Sequence, residues 1–173
     1  MRRTTAVLTA AALALGLAAC AEEAAGPRDV TVELSDYAFG GLPSGLPAGS
    51  TITVDNTSDT ELHELVAVLL PEDETRSADE LVALPPDEMG ALFAGVKLVE
   101  LQAPGSDEVI PAVGDGTLTE TGRYFVLCAI PTGADPGEYL AAAAETEEGP
   151  PQGVAGGPPH FVNGMYGEVL VTG

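Results

Sequence analysis

Four residues of this chain carry metal-binding chemistry, and their spacing sets the problem the fold must solve. The run Gly122-Arg123-Tyr124-Phe125-Val126-Leu127-Cys128 alternates and ends on a thiol. The run His160-Phe161-Val162-Asn163-Gly164-Met165 supplies an imidazole and a thioether at the far end of the following loop. The one other histidine is His63. A soft thiolate, two imidazoles and a weak axial thioether form the donor set of a copper electron-transfer site. Taken singly, each residue also fits a plainer role: a buried cysteine packs as a small apolar group, a histidine on a strand is often an ordinary core or surface group, and a methionine fills gaps. Two histidines and a cysteine also suit zinc. A nucleophilic Cys128–histidine pair has no oxyanion-stabilising motif to support it. Residues 105 to 120 lack the alternating ligands of a calcium loop.

These residues lie far apart in sequence, so extended elements must bring them together. Val30, Val32 and Leu34 alternate with polar residues, which predicts a half-buried strand, and Thr51 to Val54 predicts a second. Residues 40 to 49 are dense in glycine and proline and read as loop. Glu61 to Leu70 carries His63, Leu65, Ala67 and Leu69 on one face and Leu62, Glu64, Val66, Val68 and Leu70 on the other. Both faces are mostly apolar, as a central sandwich strand requires. Ser77-Ala78-Asp79-Glu80 has the form of a capping box before a short helix, and Pro85-Pro86 opens another. Val96 to Leu101 and Val109 to Val113 return to strand pattern. Pro131 to Gly137 reads as loop, Glu138 to Glu145 as a short helix, and 149 to 159 as irregular. Glu168 to Thr172 is the last strand. Short strands between Gly/Pro turns predict an all-β sandwich with short helical insertions.

Composition excludes several functions. The chain holds 173 residues with a net charge of −21. Such an acidic balance excludes the basic footprint of nucleic-acid binding and a polybasic membrane patch. Arg2 and Arg3 precede an apolar run from Ala6 to Leu17 that is too short to span a bilayer. It ends Leu17-Ala18-Ala19-Cys20, which resembles the bacterial lipobox. That resemblance implies a signal at 1–19, lipidation of Cys20, a tether at 20–28, and a domain at 29–173 held on the extracytoplasmic face of a membrane. Cys128 is then the one thiol left, and a lone thiol in an oxidising compartment is best buried or bound to metal.

With these motifs in place the chain resembles the cupredoxins, the family of plastocyanin, azurin and amicyanin. Gly122-x-Tyr124-x-Val126-x-Cys128 is similar to the family's strand into its ligand cysteine. His160 and Met165 have a spacing found among its following ligands, and His63 takes the place of the upstream histidine. The resemblance implies a Greek-key β-sandwich binding one copper ion through His63, Cys128, His160 and Met165. It implies single-electron transfer with a redox partner protein and no substrate transformation of its own. His63 is expected to be the buried imidazole, His160 the more exposed one and the electron exit, and Met165 the axial tuner. The same ligands would also serve a copper carrier supplying an exported oxidase, and a metal-free interaction domain is the third reading. Two departures stand out. Residues Ala129 to Pro159 separate Cys128 from His160, where the family has only a few, and this insertion is expected to be a surface excursion. Glu64 follows His63 where the family often has asparagine.

Overall fold

The computed structural model describes residues 26–146 and 149–173, so the leader, Cys20 and most of the tether lie outside it. In chain order the strands and helices are β1 Asp29–Ser35, β2 Ala38–Gly40, β3 Gly45–Pro47, β4 Ser50–Asn56, β5 His63–Leu69, α1 Ala78–Val82, α2 Pro86–Leu92, β6 Val96–Gln102, β7 Val109–Val113, β8 Thr117–Leu118, β9 Gly122–Leu127, α3 Pro136–Glu145 and β10 Tyr166–Thr172. Short 3-10 turns cover Phe93–Gly95 and His160–Asn163. The strands form two mixed sheets, ordered β2-β1-β4-β8 and β3-β10-β9-β5-β6-β7. The expected β-sandwich with short helical insertions is what the chain forms.

Alternation decides what each sheet buries. Val32 and Leu34 of β1 and Ile52 and Val54 of β4 meet Leu65 and Ala67 of β5, Tyr124 and Val126 of β9, and Val169 and Val171 of β10 in one core between the sheets. The opposite residues of β5 and β9 (Val66, Val68, Phe125 and Leu127) pack with Leu81 and Met89 beneath α1 and α2. Strand β5 lies between β9 and β6 and is buried on both faces, as its doubly apolar pattern requires. The Tyr124 hydroxyl donates to the Glu120 carbonyl at 3.0 Å and anchors the start of β9.

The helices follow their capping residues. Ser77 accepts from the Glu80 amide, and the Glu80 carboxylate accepts from the Ser77 amide at 2.8 Å, completing the capping box. Helix α3 begins at Pro136, two residues before the expected start. Proline suits the first helical position, and Asp135 accepts the Glu138 amide at 2.9 Å. One expectation changes in the Gly/Pro-dense stretch: Gly45–Pro47 pairs in parallel with β10. It is an edge strand, where a proline removes no hydrogen bond from the sheet interior.

The insertion after Cys128 is also more than a surface excursion. Ile130, Ala134 and Tyr139 are buried in the main core, with Leu140, Ala143 and Val154 half-buried against it. The reason is local: α3 is short but presents Tyr139, Leu140 and Ala143 on one side, and that side packs on the core.

Candidate metal centre

The site is assembled by strand register at one end and by a pinched loop at the other. β5 and β9 run antiparallel with Val66 opposite Leu127, so the chain leaving β9 continues toward the His63 end of β5. Cys128 shares the inner-face parity of Tyr124 and Val126, and His63 shares that of Leu65 and Ala67. Both therefore turn into the sandwich. The turn before β5 is fixed by side chains that bond backbone. Asn56 Nδ2 donates to the carbonyls of Glu61 at 3.0 Å and Gln102 at 2.7 Å, while Ser58 Oγ accepts the Glu61 amide at 2.9 Å.

The insertion leaves and returns at one point. Pro131 and Pro159 form a bridge, and the Gly157 amide donates to the Thr132 carbonyl at 2.8 Å. Immediately after that neck, the His160 amide donates to Ile130 and the Phe161 amide to the Cys128 carbonyl, each at 2.9 Å. Thus the long insertion does not separate Cys128 from His160. Closing a longer loop costs little extra entropy, and the neck does the positioning. Gly164 then takes φ 114°, a left-handed conformation open to glycine, and turns the chain into Met165. The Cys128 amide donates to the Met165 carbonyl at 3.1 Å.

The result is a compact donor cluster. Ligand atoms of His63, Cys128 and His160 all lie within 4.8 Å of one another, and all three residues are buried. Cys128 Sγ is 3.3 Å from His160 Nδ1, which is 3.1 Å from His63 Nδ1. Two ligands on one ion with bonds of about 2.0–2.3 Å place their donor atoms at about this spacing. A thiolate with two imidazoles suits one copper ion. Met165 is fully buried in the same core cluster as Cys128. His160 departs from expectation: it is as buried as His63, both at 0 % exposure. Tyr37, at φ 65° in the tight turn after β1, sets its ring edge-on 5.3 Å from the His160 ring and helps cover it.

Burial controls protonation here. It pushes the Cys128 thiol well above its usual range, with the Glu64 carboxylate adding to the rise. Burial also lowers both histidines, so each favours the neutral form that binds metal. A cation is what would turn such a thiol into a thiolate ligand. Glu64 fixes the cysteine loop: its amide points at Cys128 Sγ at 3.5 Å, and its Oε1 accepts the Ala129 amide at 3.0 Å. The carboxylate thus performs loop-holding that an asparagine could also perform. Burial raises the Glu64 carboxyl to about 7.

Two further carboxylates border the cluster: Asp36 Oδ1 lies 3.5 Å from His63 Nε2, and Glu61 Oε2 lies 3.4 Å from His160 Nε2. The sequence reading did not single them out. Glu61 had a signal, since it stands two residues before His63 and so shares its face. Asp36 had none, because only the tertiary fold brings its turn across the site. An apolar groove of about 810 Å³ between β6, β7 and α3 reaches Glu64 but none of His63, Cys128 and His160.

Fold and cluster together define a β-sandwich protein with a buried Cys–His–His centre. No protein-family model matches the chain, and no curated protein does. Solved structures that it resembles include auracyanins. One, from Roseiflexus castenholzii, is 22% identical, covers 86% of this chain and 100% of its own, and has a TM-score of 0.45. Auracyanin A of Chloroflexus aurantiacus, described as a "blue" copper protein, is 21% identical over 83% of this chain and 99% of its own, with a TM-score of 0.40. Auracyanin B is 19% identical over 87% and 93%, with a TM-score of 0.37. All three scores lie under one half, so the chemistry of the site rests on this chain's own residues.

Proposed function

We propose that the chain is a lipid-anchored, extracytoplasmic copper protein that carries single electrons to or from a redox partner. The observation that supports this best is the cluster itself: three buried donor atoms from three distant segments, mutually within 4.8 Å. His63, Cys128 and His160 would hold the ion, and the buried Met165 thioether would be a fourth, weaker donor. Bound copper supplies a one-electron couple. The protein's part is to hold the donors in one arrangement, to keep water away, and to offer Cys128 sulfur as the covalent path for the electron. A rigid, buried donor set limits rearrangement between the two oxidation states.

Delivery of copper to an exported oxidase is the second use of such ligands. The insertion would favour it by leaving the site open, but its pinched neck and the burial of all three donors support a resident ion instead. Anchoring rests on Leu17-Ala18-Ala19-Cys20 after the apolar run. Among the described residues no helix is long and apolar enough to cross a membrane.

Adding Cu(II) to the purified protein tests the reading. An intense thiolate-to-copper absorption band and a reversible redox wave are expected. Tight Cu(I) binding without that band would replace electron transfer by copper handling, and failure to bind copper would leave the metal-free reading. Expression of the full chain in a bacterial host should place lipid on Cys20. Soluble mature protein with an unmodified Cys20 would end the anchoring proposal.

A further inference from the structure

We infer that Glu61 is a positioning residue for the metal centre: its carboxylate accepts a hydrogen bond from the Nε2–H of His160, as that of Asp36 accepts one from the Nε2–H of His63. The assignment rests on the metal-centre reading above and adds what turns the two rings inward. The Nδ1 atoms of His63 and His160 face each other at 3.1 Å, and His160 Nδ1 faces Cys128 Sγ at 3.3 Å. An ion in that position uses both Nδ1 lone pairs, so each neutral ring must carry its proton on Nε2.

That requirement is acute for His160. Its Nε2 is buried and has no formed hydrogen bond. An N–H left unmet in the interior is destabilising, because it loses its bond to water and gains none in return. Glu61 Oε2, at 3.4 Å, is within ion-pair reach of it. The same oxygen accepts the Gly133 amide at 3.1 Å, so the insertion itself holds the carboxylate against the ligand. One carboxylate oxygen has lone pairs for both donors. The Asp36 contact is 3.5 Å and its side chain is 57% exposed, against 15% for Glu61. Water screens Asp36 more, so Glu61 carries the larger effect. Carboxylates that accept a hydrogen bond from the outer N–H of a ligand histidine fix its tautomer and orientation and make it a stronger donor. Their negative charge also favours the more highly charged state of the ion.

Three variants separate these roles: Glu61→Gln keeps an acceptor oxygen without charge, Glu61→Ala removes both, and Asp36→Asn tests the weaker partner. Far-UV circular dichroism checks that each folds. Zn(II) affinity, which involves no redox step, should fall about 10–100-fold in Glu61→Ala and much less in Glu61→Gln. The reduction potential of the copper-loaded protein should rise in Glu61→Gln. A tenfold loss of Cu(II) preference over Cu(I) corresponds to about 59 mV. Nitrogen NMR of the zinc-loaded parent should find His160 protonated at Nε2. If the parent binds metal but Glu61→Ala binds equally well and Glu61→Gln has an unchanged potential, the assignment falls while the metal centre stands. If the parent binds neither ion, both fall. If Glu61→Ala does not fold, the potential of Glu61→Gln decides.

Discussion

Replacing Glu64 by glutamine should change the pH dependence of stability of the metal-free protein in a calculable way. Glu64 is 4% exposed, and burial raises its carboxyl from 4.5 to about 7, with the Ala129 amide partly opposing the rise. The folded state therefore keeps this proton up to about pH 7, while the unfolded chain releases it near pH 4.5. Between those values the folded state binds more protons, so stability present below pH 4.5 is lost as the pH rises through 7. The gap corresponds to about 3 kcal/mol. Glutamine has the shape of the protonated acid and retains an acceptor for the Ala129 amide, but it never ionises. The two proteins should be nearly equal at pH 4.5, and the variant should be more stable by about 3 kcal/mol at pH 8. In melting temperature that is about 6–12 °C for a chain of this size. Glu100, whose carboxyl burial also raises, remains in both proteins and cancels in the difference. Denaturant titrations followed by circular dichroism from pH 4.5 to 8.5 measure it. Parallel profiles for the two proteins would refute the argument, because they would mean that Glu64 is solvated or already paired in the folded state.

Other expectations follow from the two faces of β9 and from the insertion. Cys128→Ser should abolish the thiolate-to-copper band while leaving a folded protein, since serine is close in size but a hard, poorly ionised donor; a retained band would remove Cys128 from the ligand set. Phe125 is fully buried on the opposite face beneath the helices. Phe125→Ala should cost about 3–5 kcal/mol yet leave the spectrum of the remaining folded protein unchanged, and a shifted spectrum would mean that the two faces are mechanically coupled. Exchanging Thr132–Gly157 for a short linker strips Ala134 and Tyr139 from the core. Denaturation should then report a loss of at least about 3 kcal/mol, the low end for removing a large buried aromatic side chain. No loss would restore the insertion to a mere surface excursion.

The sequence by itself determined the sandwich and the parity of its strands. Period-two alternation placed Tyr124, Val126 and Cys128 on one face of β9, and the doubly apolar Glu61–Leu70 run required a central strand. Backbone geometry makes such patterns local: successive side chains must point to opposite faces. The capping residues Ser77 and Glu80 likewise located α1. The edge strand Gly45–Pro47 was not legible, because its pairing with β10 comes from a partner more than a hundred residues away. The donor types of the candidate site were legible as a set. Whether they meet was not, since no local rule joins His63 to Cys128 across 65 residues. Tertiary structure alone decided that the insertion closes at Pro131 and Pro159, that Tyr139 belongs to the core, and that His160 is buried. It also decided that Glu61 and Asp36 stand behind the two rings. Those outcomes depend on which distant surfaces come together, and desolvation and carboxylate contacts follow from that packing rather than from any spacing along the chain.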